Sequence, residues 1–385
     1  MKKLGVCVRY ITDNYGSMLQ LLALQEAIEK IEWDYEFVVY DKKTLGFMVK
    51  NAKRIFNIYF FQGKMLQIKK KAKMKRYPQI MADNQKRLAV FEDFRERNFK
   101  YFSDTFKGYS LLCKGATQYD AVLVGSDQLW GPEGLDTNFY NLMFVPDNIR
   151  KIAYSTSFGV KEIPSNLHKK YKYFIDRIEY ISVREEAGSQ IVKNITGKDV
   201  PVVVDPVMLL SKEEWELIIP IEDPKIGISE PYMLCYLLGA NSEHRKAAME
   251  ISKKTGWKIV TLPHIDEVVE ADMEFGDVQL FDVTPEQFLN LIRCAEYICT
   301  DSFHGTAFSI INQKQFTVFN RFDEKEKFSR NSRIDTICSI FNLESCRYKG
   351  DIWKSYENTI DYVDVGEKLQ RHKTKSWAYL EDALH

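Results

Sequence analysis

Short apolar runs alternate with longer amphipathic segments in the first half of the chain. Strands are predicted by the runs LGVCVRY, YEFVVYD, YDAVLVGSD, KIAYSTSFG, IEYISVRE and PVVVDP. Helices are predicted by MLQLLALQEAIEKI and by the segments near 166–176 and 185–194. Ser17 and Gln20 have the spacing of a capping box at the start of the first helix. This alternation predicts a mostly parallel sheet.

The pattern loosens after Asp205-Pro206, through the proline- and acid-rich run IPIEDPKIGISEP, and then resumes. The second series has the strands YMLCYLLG, WKIVTLP, EYICT and QFTVFN, with helices over SEHRKAAMEISKKTG and TPEQFLNLIRCA. Thr284, Pro285 and Gln287 make a strong helix start. We predict an α/β protein of two Rossmann-like domains facing across a cleft. Their predicted bounds are 1–208 and 209–345, followed by a helical segment, 346–385, that packs back on them.

Composition narrows the class of protein. The chain has 385 residues, is 45% hydrophobic and 28% charged, and carries a formal net charge of zero, which favours a globular protein and argues against a nucleic-acid binder. No long apolar run predicts a membrane span, and the start MKKLGVCVRY lacks the features of a secretory signal, so we expect a cytoplasmic protein. Because the six histidines are scattered and the seven cysteines form no CxxC pair, we expect no metal site.

One segment departs from this regularity. Residues 42–82 contain twelve Lys or Arg and no Asp or Glu, with the aromatic run FNIYFF among them. Basic and aromatic residues together can hold a protein on an anionic membrane, so this insertion predicts a peripheral contact with the inner membrane face. The alternative is a solvated insertion whose lysines only keep it soluble.

The most informative stretch is TDSFHGTAF, residues 300–308. It follows the apolar run AEYIC and precedes a predicted helix, and ligands of α/β proteins collect at such junctions. The helix start would attract an anion, with Ser302 beside it and Gly305 allowing close approach, and His304 can carry a proton. Alternatively, Asp301 or Ser302 is a plain helix cap and His304 a core residue.

Further polar residues follow four more predicted strands. They are Asn14 and Gly16, Ser126 and Asp127, Ser157, and Arg184. Of these, we expect Asn14, Gly16, Ser126 and Ser157 to lie in the acceptor part of the cleft. Asp127 can accept a proton from a hydroxyl, or it is an ordinary turn residue. Arg184 can bind a carboxylate or phosphate, or it forms an ion pair with the glutamates after it. Near a later predicted helix start, Arg330 and Arg333 are further candidate anion ligands.

These motifs resemble a known family. NYGSMLQLLALQEAI, VGSDQLW, AYSTSFG, SVREE, VDP and TDSFHGT, in this order, are similar to the polysaccharide pyruvyl transferases from about Gly5 to about Ile337. The resemblance implies a fold like that of B-type glycosyltransferases. It also implies transfer of the enolpyruvyl unit of phosphoenolpyruvate to two hydroxyls of a sugar of a surface polysaccharide or its lipid-linked precursor, giving a pyruvate ketal without a further cofactor.

By position, the resemblance implies that Arg184 and His304 belong to the donor site, with Asp127 and Asn14 facing the cleft from the first domain. We interpret His304 and Asp127 as the catalytic pair. Many relatives have arginine where this chain has Ser302, so Arg330 or Arg333 replaces it or the donor differs. The alternatives are a glycosyltransferase that uses a nucleotide sugar, which the same fold would serve, and a binding protein without activity.

Overall fold

The structure is a computed structural model that describes residues 2–42, 65, 68, 72–132, 135–224, 226–264, 268–322 and 331–385. Its strands are β1 (Lys3–Cys7), β2 (Asp34–Phe37), β3 (Tyr40–Asp41), β4 (Phe106–Lys107), β5 (Ala121–Val124), β6 (Arg150–Thr156), β7 (Tyr180–Val183), β8 (Tyr232–Tyr236), β9 (Lys258–Thr261), β10 (Val278–Gln279), β11 (Tyr297–Thr300) and β12 (Phe316–Val318).

Its α-helices are α1 (Tyr15–Lys30), α2 (Pro78–Asn98), α3 (Tyr109–Gly115), α4 (His168–Asp176), α5 (Glu186–Thr196), α6 (Lys212–Ile218), α7 (Ser242–Thr255), α8 (Pro285–Cys294), α9 (Phe303–Ile311), α10 (Ser332–Phe341), α11 (Ile352–Tyr356) and α12 (Tyr362–Leu384). Helices and strands alternate through both halves of the chain, as the sequence pattern predicts.

The first domain is built on a parallel sheet of order β2-β1-β5-β6-β7. Its order reverses between β1 and β5, where Cys7 lies beside Val124. At this reversal the connections that follow β1 and β5 run in opposite directions, which opens a crevice at the carboxyl edge of the sheet. Ligands bind in this crevice in sheets of this kind. Residues after Cys7 and after Val124 therefore border the first crevice.

The second domain repeats this arrangement with the order β10-β9-β8-β11-β12, also parallel. Here the reversal lies between β8 and β11, where Thr300 is beside Tyr236. The stretch that begins at Thr300 therefore borders the second crevice. This confirms the predicted fold class of two Rossmann-like domains, whose exact bounds stay a prediction.

The two domains share a continuous apolar core rather than meeting only at polar surfaces. Tyr15 of α1 stacks on Phe288 of α8, with ring centroids 4.8 Å apart and an interplanar angle of 8°. Buried Arg87 of α2 donates to the carbonyl oxygens of Pro263, Leu280 and Phe281. Large apolar contacts of this kind fix one domain against the other.

The last helix, α12, returns to the first domain. Its Tyr379 hydroxyl donates to the Ala153 carbonyl (3.2 Å), and the backbone N–H of Val204 donates to the Ser376 hydroxyl (3.0 Å). No helix in the described ranges combines the length and apolar character needed to cross a bilayer. Most of the basic insertion, namely 43–64, 66–67 and 69–71, lies outside the described residues.

Two local predictions are wrong. PVVVDP is not a strand: only Val202 makes an isolated bridge, to Val183, and a 3₁₀ turn starts at Pro206. The first helix is not capped by Ser17, because it begins earlier and the Asn14 carboxamide accepts from the Ser17 N–H. The capping box of Thr284 and Gln287 is confirmed.

Candidate active site between the domains

Arg184, which directly follows β7, is the centre of a buried charged cluster. Its side chain is 0% exposed, and one guanidinium nitrogen donates to the Asp205 carboxylate at 2.7 Å and to the Ser126 hydroxyl at 3.3 Å. The other terminal nitrogen lies 3.5 Å from Asp127 Oδ1. Arg184 therefore holds Asp205 and Asp127 in place, and its predicted place in the donor site stays a prediction.

Ser126 and Ser157 belong to the same buried cluster, because their hydroxyls bind buried carboxylates. The Ser126 hydroxyl donates to Asp205 Oδ2 at 2.9 Å, and the Ser157 hydroxyl donates to Glu185 Oε1 at 2.8 Å. Both serines are buried. The two serines therefore support these carboxylates, and their predicted place in the acceptor part of the cleft stays a prediction.

Asp127 is presented toward the cleft by a strained backbone. Its φ of 86° lies in the left-handed region that non-glycine residues rarely adopt, and its carbonyl accepts from the N–H groups of Leu129 and Ser157. Strain of this kind persists where the surrounding structure fixes it and is common at functional sites. Asp127 thus fits a functional position better than an ordinary turn.

Three arginines control the charge of Asp127. Burial alone would raise the pKa of this carboxyl, but Arg184, Arg9 and Arg333 lower it below its ordinary value, helped by the N–H of Gln128. Asp127 is therefore a carboxylate at neutral pH. Its side chain keeps 15% of its surface exposed, so an incoming hydroxyl can reach it.

His304 enters the same cluster from the second domain, in the first turn of α9. Its Nε2 lies 3.8 Å from Asp205 Oδ1 and has no hydrogen-bond partner among the described residues. His304 and Arg184 together hold the pKa of Asp205 far below its ordinary value, although burial opposes them. Asp205 thus connects the predicted proton carrier of one domain to the arginine of the other.

The imidazole of His304 also lies directly over Gly16 in the first turn of α1. A Cβ on Gly16 would be 2.1 Å from His304 Nδ1, far inside van der Waals contact. The predicted site residue Gly16 is therefore required for space. Asn14, the cap of α1, is half-buried, and the hydroxyl of Ser17 links it to Asp127, at 3.4 Å from each.

Ser302 and Gly305 have local structural roles at the start of α9. Ser302 caps the helix, and its hydroxyl accepts from the Gly305 N–H at 3.3 Å. A Cβ on Gly305 would be 2.5 Å from the hydroxyl oxygen of Thr300, so this glycine allows close packing on β11. Their predicted contacts with an anion stay a prediction.

Arg333, in the first turn of α10, adds a positive charge to the site. Among the described residues it forms no ion pair, and its half-buried guanidinium has a buried Nε with no hydrogen-bond partner. Burial, followed by the charges of Arg184 and Arg321, lowers the pKa of Arg333 to about 9. The Phe303 ring lies near both cations, 4.9 Å from Arg184 and 6.0 Å from Arg333. Arg330 lies outside the described residues.

Sequence reasoning missed Asp205, Glu185 and Arg9 as site residues. Asp205 was interpreted as the end of a strand before proline, and Glu185 only as an ion-pair partner. Asp205 is buried at 1% exposure and Glu185 at 0%. Buried carboxylates are rare unless they are paired. The VDP and SVREE motifs contained this signal, but only the fold brings them together.

Two parallel sheets whose reversal points face each other define a two-domain α/β protein with the B-type glycosyltransferase architecture. The model of the family "Polysaccharide pyruvyl transferase" matches residues 14–323, and the chain belongs to this family. It is therefore an enzyme of this kind, which confirms the resemblance seen in the motifs. No curated protein matches the chain.

Several solved structures of low sequence identity are similar to this chain. UDP-GlcNAc 2-epimerase from Methanocaldococcus jannaschii is 13% identical, with a TM-score of 0.51 over 96% of this chain and 92% of that one. The corresponding epimerase from Neisseria meningitidis is 11% identical, with a TM-score of 0.47 over 100% and 99%. An E. coli heptosyltransferase is 12% identical, with a TM-score of 0.39 over 97% and 100%.

Proposed function

We propose that the enzyme transfers a pyruvyl group from phosphoenolpyruvate to two hydroxyls of one sugar and forms a cyclic ketal. The observation that carries this proposal is Arg333, a half-buried cation without a carboxylate partner among the described residues, next to Arg184 and Asp127. Phosphoenolpyruvate carries a phosphate and a carboxylate, about 2.5 to 3 negative charges. An unpaired arginine offers such a donor a charge-assisted hydrogen bond.

The first step adds a hydroxyl across the double bond of the donor. His304 delivers a proton to the methylene carbon, which becomes a methyl group, while the first sugar hydroxyl attacks the adjacent carbon. Asp127 accepts the proton of that hydroxyl. Asp205 faces Nε2 of His304 at 3.8 Å, and Nδ1 lies against Gly16, so contacts from both domains hold the ring in place.

The second step closes the ketal. The second hydroxyl of the same sugar attacks the same carbon, the carbon–oxygen bond to phosphate breaks, and the second hydroxyl proton leaves with the phosphate. Positive groups that are already in place stabilise the departing phosphate without reorganisation. Arg333 supplies this charge, and Arg184 acts as a positioning residue through Asp127 and Asp205.

The donor itself adjusts the basicity of Asp127. In the free enzyme three arginines lower the pKa of Asp127, which makes this carboxylate a weak base. A bound donor anion would offset those positive charges and make the carboxylate more basic. This favours an order in which the donor binds before the sugar hydroxyl loses its proton.

The donor is tested by isothermal titration of phosphoenolpyruvate and, separately, of uridine diphosphate. We expect the wild type to bind phosphoenolpyruvate and Arg333→Gln to bind it roughly 10- to 100-fold more weakly, the loss of one charged hydrogen bond of about 1.5–3 kcal/mol. Lys169→Gln, an exposed lysine on α4, is the matched control and should bind like the wild type. Tight uridine diphosphate binding with none of phosphoenolpyruvate would favour a nucleotide-sugar transferase instead.

A further inference from the structure

A pocket lies beside the candidate active site, at the carboxyl edge of the first sheet and on the side of β1 that faces β2. Its volume is about 170 Å³, and the side chains that matter here are Arg9, Tyr10, Tyr40, Lys42, Phe139 and Tyr140. The chain that leaves β1 forms one wall and then continues to Asn14, the cap of α1. The pocket and Asp127 are therefore on the two sides of the same short loop.

Arg9 joins the pocket to the catalytic carboxylate. Arg9 and Tyr140 line the same pocket, and the positive charge of Arg9 acts, against the effect of burial, to lower the pKa of both Tyr140 and Asp127. A ligand that is held by Arg9 would therefore lie next to the proton acceptor. This is where a sugar hydroxyl must be placed for the proposed reaction.

The charged residues that line the pocket are both positive. Arg9 and Lys42 are exposed, and no lining residue that the structure describes carries a carboxylate. A pocket with cations and no acidic side chain attracts anions and raises their local concentration. A neutral sugar would gain little from this arrangement.

The remaining wall is aromatic and rigid. Phe139 packs against Tyr40 and Tyr140, with ring centroids 5.5 Å and 5.0 Å away. Aromatic rings offer large apolar contact areas with polar tips, which suits the faces and hydroxyls of a sugar ring. The volume lies below the roughly 300–1,000 Å³ of complete small-molecule sites, so the pocket would hold one part of a larger acceptor.

We propose that this pocket is the acceptor subsite and that it selects a glycoside bearing an anionic group, either a phosphate or a carboxylate. The aromatic wall receives the sugar ring, and Arg9 and Lys42 bind the anion. This inference rests on the proposed function, because it places the acceptor beside Asp127. It adds the chemical class of that acceptor.

The test is ligand titration without phosphoenolpyruvate, with a panel of hexoses each presented as the 1-phosphate, the uronic acid and the methyl glycoside. We expect at least one anionic form to bind roughly tenfold more tightly than its methyl glycoside, since one charged contact contributes about that factor. Which anionic form binds identifies the source of the charge. Arg9→Gln and Lys42→Gln should each weaken that form several-fold and leave the methyl glycoside unchanged.

Two further variants separate this proposal from the donor site. Arg333→Gln should leave binding of the anionic sugar unchanged, and Lys169→Gln should change nothing. The proposal would be overturned if charged and neutral forms bound equally or if no panel member bound. It would also be overturned if neither Arg9→Gln nor Lys42→Gln changed binding, or if Arg333→Gln abolished it. Donor binding is measured with a different ligand, so a failure here is distinguishable from failure of the proposed function.

Discussion

At the scale of single residues, the contact between Gly16 and His304 determines where the proposed proton carrier lies. The glycine belongs to the first domain and the histidine to the second, and the ring occupies the space that any side chain on residue 16 would need. Gly16 has no positive φ among the described backbone angles. Space, not backbone conformation, is therefore the reason for glycine here.

Gly16→Ala should displace His304 and reduce turnover on the order of 10- to 100-fold, because misplacing a reacting group by about 1 Å costs on that order. The variant should also be destabilised by about 1–3 kcal/mol from overpacking. Turnover is measured as phosphate released from phosphoenolpyruvate with the acceptor panel, and stability by urea denaturation. His304→Ala gives the reference loss, on the order of 10²- to 10⁴-fold.

Gly366→Ala is the matched control. Gly366 lies in α12, and nothing is within 4 Å of the Cβ position. Alanine there should stabilise the protein by roughly 0.5–1 kcal/mol through helix propensity and leave turnover unchanged. If Gly16→Ala behaved like Gly366→Ala, the contact with His304 would not position the ring.

Individual residues show where sequence reasoning stops. Asp127 and His304 could be predicted because each lies within a few residues of the end of an apolar run. The role of buried Asp205 could not, since it depends on Arg184 and His304, which approach it from other elements. The role of Glu185 depends on the Ser157 hydroxyl, which comes from a different strand end. Ser126 and Ser157 are recognisable as polar residues at strand ends, but a hydroxyl there gives no sign of the carboxylate that it binds.

At the scale of elements, the strands and the edges where they end were largely predictable. Apolar runs of four to seven residues mark β1, β5, β6, β7, β8, β9 and β11. The order of the strands was not predictable, because it depends on crossovers that a linear pattern does not show. PVVVDP was misread since its apolar residues pack in the core without a full neighbouring strand.

Glu214 ties three helices together and gives the fold a measurable pH dependence. It pairs with Lys30 of α1 at 2.5 Å and with Lys373 of α12 at 3.0 Å, and it completes the capping box of α6. Although partial burial opposes them, Lys30, the Ser211 N–H and Lys373 lower the pKa of Glu214 from its ordinary 4.5 to about 2. Its stabilisation is therefore complete above pH 4.5 and is lost as the pH falls toward 2.

Glu214→Gln should cost about 0.5–1 kcal/mol at pH 7, a figure that allows for the solvent screening of this partly exposed group. The difference from the wild type should be clearly smaller at pH 3 than at pH 7, because pH 3 lies between the unfolded and folded pKa of Glu214 and part of its stabilisation is already lost there. Urea denaturation at both pH values measures it. Exposed Glu92→Gln, which breaks no ion pair of the described residues, should match the wild type throughout. A difference as large at pH 3 as at pH 7 would show that Glu214 acts by packing.

At the scale of the whole molecule, the charged cluster is fixed because the domains share one core. The stack of Tyr15 on Phe288 holds the first crevice against the second. The hydrogen bonds from Arg87 to the loops that follow β9 and β10 do the same. The sequence predicted two domains and a cleft, but the extent of their shared core depends on tertiary contacts. The membrane contact through 42–82 stays a prediction.

The central claim is that this arrangement moves a pyruvyl unit onto a sugar as a ketal. The most direct measurement is carbon-13 NMR of the products formed from phosphoenolpyruvate that is labelled at its methylene carbon, with the acceptor panel. We predict that the labelled methylene becomes the methyl group of a sugar-linked ketal, together with one inorganic phosphate per ketal. Persistence of a sugar-linked vinyl signal, formation of free pyruvate alone, or an unchanged donor with every acceptor would contradict it.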